Sequence, residues 1–148
     1  MGRFRFNWVL VGELAVGTIP YSKESMDIIK SNKITSIISL CSESEGRIYQ
    51  EIKKHFSCHV YVLPDHKVGK TPTKIQVEEI LELIKKIKKN GPIFIHCQAA
   101  VERSPLICMA WLIKDLKLKP TEAMEYLSRV NSSSNILPEA FNILQEIK

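Results

Sequence analysis

The segment Ile93-Phe94-Ile95-His96-Cys97-Gln98-Ala99-Ala100-Val101-Glu102-Arg103-Ser104-Pro105 carries the residue types and spacing best suited to chemistry in this chain. A wholly apolar run feeds a His-Cys pair, an arginine follows six positions after the cysteine, and an apolar stretch of helix length comes next. This order predicts a buried strand, a tight loop bearing a thiol, and the start of a buried helix. Such a loop aims backbone N–H groups and a helix N-terminus at one spot, where an anion binds. The same positive field favours thiolate over thiol at Cys97, which makes it a better nucleophile near neutral pH. Arg103 offers a planar fork of donors to two oxygens of a phosphate. Anion cradle, sulfur and guanidinium together point to phosphoryl transfer onto cysteine.

The rest of the chain must place that loop. Trp8 to Val11 and Leu14 to Thr18 read as an N-terminal ribbon, and Ser22 caps a helix from Lys23 to Ser31. Thr35 to Leu40 reads as a strand. Ile48, Ile52 and Phe56 share one helical face, which predicts a helix from Ser44 to Phe56. His59 to Leu63 is a further strand. Thr73 to Lys89 is a strongly amphipathic helix, with Thr71 as cap and Pro72 at the first helical position. Asn90-Gly91-Pro92 stops it. Ile93 to Ile95 delivers Cys97, and the helix from Ser104 to Asp115 is apolar almost all round and therefore central. Two more helices follow, Thr121 to Val130 and Pro138 to Ile147. Strands alternating with helices predict a single α/β domain over residues 1–148, its mostly parallel central sheet flanked by helices. Ligands in such folds bind beyond the carboxyl ends of the strands, and Cys41, Asp65 and Cys97 all follow strand ends.

At 148 residues the chain suffices for one domain with a sizeable core, and 45% hydrophobic with 25% charged residues is ordinary for a soluble globule. The net charge of +5 suits anionic partners. The lysines carry no interleaved aromatics, which argues against a nucleic-acid surface. Lys67 and Lys70 are placed to steer phosphorylated substrates. No apolar run reaches the length of a membrane span and no secretory signal is evident, so a cytoplasmic, reducing location is expected. Cys41, Cys58, Cys97 and Cys108 form no Cys-x-x-Cys pair, and no metal-ligand spacing appears. Cys108 reads as inert core and Cys58 as structural. Gly12-Glu13-Leu14-Ala15-Val16-Gly17-Thr18 has the glycine spacing of a nucleotide-binding loop but lacks its lysine, so a strand turn is expected there.

His96-Cys97, five residues and Arg103-Ser104 resemble the signature loop of the cysteine-dependent protein tyrosine phosphatases, and the small chain resembles their dual-specificity branch. Phe6-Asn7-Trp8-Val9-Leu10-Val11-Gly12-Glu13-Leu14-Ala15 is similar to that branch's opening segment, and Ile37-Ile38-Ser39-Leu40-Cys41-Ser42-Glu43 to its second strand and following loop. The resemblance implies roles. Cys97 takes the phosphoryl group; Arg103 binds phosphate and transition state; Ser104 helps the sulfur leave. His96 orients the loop and tunes the thiol. The backbone of Gln98, Ala99, Ala100, Val101 and Glu102 lines the cradle. The family also needs an acid about thirty residues before the cysteine. Of three aspartates, Asp27 falls in a helix and Asp115 late in another, which leaves Asp65, thirty-two positions upstream of Cys97. A turn-forming role is the alternative for Asp65, and His66 is a spare acid. Some relatives carry a cysteine where Cys41 stands that traps the oxidised nucleophile; a small buried residue is the other reading of Cys41.

Two positions depart from the family. Glycine usually stands where Ala100 is; if φ is positive there, alanine adds about 1 kcal/mol of strain or a little more. Glu102 puts a carboxylate beside the arginine, so its side chain is expected to turn away from the cradle toward a basic residue. The short chain implies a shallow site that admits phosphotyrosine and also phosphoserine or phosphothreonine. Gln98 and Glu102 within the loop argue against lipid phosphates. An RNA 5′-triphosphatase, which uses the same loop chemistry, and a catalytically weak phosphate-binding module are the alternatives. The expected partners are phosphorylated protein substrates, with no cofactor, no membrane and a monomeric chain.

Overall fold

Three of the apolar runs are short enough for strands and too apolar for any exposed face. In the computed structural model, which describes residues 3–65 and 69–148, they form β2 (Leu14–Gly17), β3 (Ser36–Ser39) and β5 (Ile93–His96), every residue of each buried. β1 (Phe6–Leu10) and β4 (Ser57–Val60) are partly exposed and occupy the two edges. The strand order is β1-β2-β5-β3-β4; β1 pairs antiparallel with β2, and every other pairing is parallel. This is the expected α/β architecture, with β5 at the centre.

Side-chain alternation along the strands divides the core into two layers. Leu14, Val16, Ile38, Ile93 and Ile95 pack with α3 (Lys74–Ile87), α4 (Arg103–Leu116), α5 (Pro120–Val130) and α6 (Pro138–Glu146). Ala15, Ile37 and Phe94 pack on the other face with Met26 and Ile29 of α1 (Lys23–Ser31) and Ile52 of α2 (Ile52–His55). α4 is buried from Arg103 through Ile113, as its all-round apolarity requires. The Gly12 segment is a turn between β1 and β2, closed by the Glu13 N–H on the Leu10 carbonyl at 2.9 Å.

Several boundaries differ from expectation, among them β1, which begins two residues before Trp8. The helix expected over Ser44 to Phe56 is broken into a 3-10 turn, Glu43–Glu45, and the short α2. Gly46 between them has φ 151°, outside any helix, and the Glu45 carboxylate is drawn inward to Arg103. α3 is capped by Thr73, not Thr71. The Thr73 hydroxyl accepts from the Gln76 N–H at 3.2 Å, and the Gln76 side chain accepts from the Thr73 N–H at 2.9 Å, a reciprocal cap that Pro72 cannot provide. β4 begins two residues before His59 and ends at Val60. Beyond it the chain stays extended, with the Tyr61 and Leu63 N–H groups on the Ser39 and Leu40 carbonyls.

Candidate active site

Parallel pairing of β5 between β2 and β3 sets His96 opposite both Gly17 and Ser39. The residues that leave the sheet next therefore emerge along one edge: Cys97 after β5, Cys41 after β3 and Asp65 after β4. Residues 97–102 curl back into α4, whose N-cap position is Glu102. The amide N–H groups of Gln98, Ala99, Ala100 and Val101 donate to no protein acceptor among the described residues. Gln98, Ala99 and Val101 border a cavity of about 150 Å³, lined also by Asp65, Cys97, Glu102 and Arg103. The proposed nucleophile, guanidinium and acid thus line a single cavity.

Cys97 is buried, and its Sγ lies 3.1 Å from the Ser104 hydroxyl. At that distance either the hydroxyl or the thiol can donate. Arg103 is held by its Nη1 end, which donates to the Leu40 carbonyl at 3.4 Å, the Leu63 carbonyl at 3.3 Å and Glu45 Oε2 at 3.1 Å. Its Nη2 donates to Glu45 Oε1 at 2.6 Å and stands 3.8 Å from Asp65 Oδ2. A guanidinium has five N–H donors in a fixed plane. The bonds just named leave its Nε–H and the second Nη2–H, a parallel pair on one edge that matches two oxygens of a tetrahedral anion. Burial alone would lower the Arg103 pKa, but Glu45 and Cys97 outweigh it and the value is raised. Reciprocally, the Arg103 hydrogen bond lowers the Glu45 pKa.

His96 is buried, with Nε2 2.7 Å from the Ser39 hydroxyl and Nδ1 4.0 Å from Cys41 Sγ. Burial depresses its pKa to about 4; a hydrogen bond to the Cys97 backbone opposes the shift and Arg103 adds to it. The imidazole is therefore neutral at pH 7 and acts through position, tying the end of β5 to β3. The Cys41 thiol is pushed up to about 12, first by burial and then by the Glu45 carboxylate. Burial also raises Cys108, which sits in the core as expected. Glu102 lines the cradle and also the adjoining cleft that contains Lys70. His66 and Lys67 lie outside the described residues. Among the described residues, no group of three or more His, Cys, Asp or Glu could hold a metal ion.

Ala100 has φ 58°, so the alanine occupies a left-handed conformation that its methyl disfavours. Its carbonyl is fastened from outside the loop, by Asn131 Nδ2 at 2.9 Å and the Ser133 hydroxyl at 3.0 Å. Asn131 is itself buried and accepts from Asn7 Nδ2 at 2.8 Å. The Asn135 N–H donates to the Val101 carbonyl at 2.8 Å, and Arg5 Nη2 donates to the Ala99 carbonyl. Sequence reasoning missed Glu45, Asn131 and Ser133. For Glu45 the available signal was a carboxylate just past a strand end on the same sheet edge as Cys97. For the others it was a polar Asn-Ser-Ser-Ser-Asn run between two amphipathic helices.

Residues 18–146 match the family model described as dual specificity phosphatase, catalytic domain. A probable protein tyrosine phosphatase type IVA B from Dictyostelium discoideum is 29% identical over 147 residues, 95% of this chain and 83% of that protein. Human dual specificity protein phosphatase 1 is 27% identical over 115 residues, 76% of this chain but 29% of that protein, so the chain spans under a third of that relative. Among solved structures, DUSP15 superposes with a TM-score of 0.78 at 25% identity, covering 95% of this chain and 85% of that one. Tk-PTP in its active form gives a TM-score of 0.82 at 21% identity, covering 96% and 95%.

Proposed function

The chain belongs to the dual specificity phosphatase catalytic-domain family, and from that premise we propose that residues 1–148 form one protein phosphatase domain that hydrolyses phosphotyrosine, and phosphoserine or phosphothreonine as well, through a phosphocysteine on Cys97. One observation carries this reading: Cys97, Arg103 and Asp65 line the same cavity, with the Ser104 hydroxyl 3.1 Å from the sulfur. The phosphate settles on the free amides of the loop and on the open edge of Arg103. Sulfur attacks phosphorus in line with the ester oxygen, and Asp65 protonates that oxygen as the bond breaks. This transfer leaves the phosphoryl group on sulfur and a free hydroxyl on the substrate. In the second half, Asp65 takes a proton from the attacking water. Ser104 donates to Sγ as it departs, which stabilises the thiolate that forms.

The amides and Arg103 strengthen their hold as charge builds on the equatorial oxygens, so they lower the barrier more than they tighten substrate binding. Free thiols at Cys41, Cys58, Cys97 and Cys108 accord with a reducing, cytoplasmic setting, since oxidation of Cys97 would remove the nucleophile. No helix among the described residues is long and apolar enough to cross a membrane.

Turnover of p-nitrophenyl phosphate tests the reading. Activity is expected to vanish in Cys97→Ser, to fall by roughly 10²–10⁴ in Asp65→Asn, and to fall strongly in Arg103→Lys, which keeps charge but loses the planar fork. Full activity of Cys97→Ser would refute the mechanism. A panel of phosphopeptides, phosphoinositides and triphosphorylated RNA then sets the substrate class.

A further inference from the structure

A second cavity, of about 280 Å³, adjoins the phosphate cradle. Arg3, Arg5, Thr18, Tyr21, Gln98 and Ala99 line it, and Gln98 and Ala99 line the cradle as well. The backbone of those two residues is the party wall. No carboxylate lines this second cavity, and neither Arg3 nor Arg5 is ion-paired among the described residues. Arg103, in contrast, has its charge answered by Glu45.

Arg5 is fixed at its backbone. Its N–H donates to the Thr18 hydroxyl at 2.9 Å, and its carbonyl accepts from the Thr18 N–H at 3.2 Å. Gly17 permits this close approach, since a Cβ there would collide with the Arg5 carbonyl oxygen. One Nη2 donor of Arg5 is used on the Ala99 carbonyl, which leaves the rest of the guanidinium to face a ligand.

We propose that this arginine-lined cavity is a second anion subsite, which selects phosphoprotein segments bearing a further acidic or phosphorylated side chain close to the residue being dephosphorylated. The inference rests on the cradle being the dephosphorylation site. Guanidinium forks match carboxylate and phosphate alike, so the chemistry recognised is a second anion of either kind. A wall one backbone segment thick is about 5 Å across. Extended chain advances about 3.5 Å per residue, so a side chain one to three residues from the scissile phosphate reaches the second cavity. A protein segment is favoured over a polyphosphorylated lipid headgroup because the cradle loop itself carries Gln98 and Glu102 and no lysine.

The test compares phosphotyrosyl peptides identical except for one flanking position, which is Ala, Asp, phosphoserine or Lys. The quantity read is the ratio of kcat/KM within each enzyme variant, so changes in basal turnover cancel. At low ionic strength, the Asp and phosphoserine peptides are expected to exceed the Ala peptide by about fivefold, as one or two partly exposed ion pairs allow. The gain resides in KM and shrinks in salt. Arg3→Gln lowers the ratio toward one, and Arg3→Glu inverts the preference toward the Lys peptide.

The same ratios are read as binding constants with Cys97→Ser by fluorescence anisotropy. If turnover is absent but the binding preference persists, the phosphatase reading falls and the subsite stands. If turnover is present and the ratios are equal in all variants, the subsite is overturned. A soluble inositol polyphosphate headgroup that outcompetes the phosphoserine-flanked peptide in an Arg3-dependent way overturns its assignment to protein.

Discussion

Ala100 is where the loop stores strain. Alanine at φ 58° costs about 1–2 kcal/mol, offset by the two hydrogen bonds that Asn131 and Ser133 place on its carbonyl. Asn131→Ala is therefore expected to destabilise the fold by about 2 kcal/mol and to reduce kcat/KM. Adding Ala100→Gly in that background should restore much of the activity, because glycine holds the left-handed conformation unaided. Urea unfolding and turnover of the two single variants and the double variant measure the coupling. Cys41 yields a second prediction. With its thiol pushed up to about 12, it is a slow partner for an oxidised Cys97 at pH 7 and a faster one at pH 9. Mass spectrometry after mild peroxide should show a Cys41–Cys97 crosslink growing with pH, and its absence at both values would remove the redox role. Cys97, Arg103 and Ser104 could be read from the chain because seven or fewer residues separate them. The residues that fasten the loop could not: Asn131 acts 31 positions from Ala100, a distance over which residue types alone carry no spacing signal.

At the scale of elements, the segment after β3 is the instructive one. Ser42-Glu43-Ser44-Glu45 looks like a helix start, with acids placed to suit the dipole. Glu45 instead turns inward and takes both ends of the Arg103 fork, at 2.6 and 3.1 Å. A local pattern cannot distinguish an acid that serves its own helix from one claimed by a distant arginine. The strands and the central helix α4 were legible because burial dictates their apolar runs. The strand ends were less so, since hydrogen bonds beyond Val60 continue the extended path without the ladder. Glu45→Gln tests the clamp: the side chain keeps its shape but loses its charge. Stability should fall by about 2 kcal/mol, and kcat/KM by about ten- to hundredfold as the guanidinium loses its fixed pose. Unchanged activity would mean that the two carbonyls on Nη1 suffice.

For the molecule as a whole, the buried His96 sets a dependence on acid. Its folded pKa, about 4, lies below the ordinary histidine value. Between those two pH values the unfolded chain binds a proton that the folded chain does not, so stability falls as pH drops from about 6.5 to 4, by about 3 kcal/mol. Glu45, whose pKa is also lowered by its hydrogen bond from Arg103, acts in the same direction from the acid end of that window downward: its contribution is present above the ordinary carboxylate pKa and is lost as pH falls through its folded value. Urea midpoints across this range should show the slope, and His96→Gln should flatten it above pH 4.5 while keeping the lower limb. The hydrogen bonds from Asn131, Ser133 and Asn135 to the loop have one more consequence. A ribosome delivers the nucleophile well before the side chains that brace its surroundings. A nascent copy therefore holds its thiol in an unfinished nest, and full competence to attack phosphate waits until residues 131–135 have been made and have folded onto the loop.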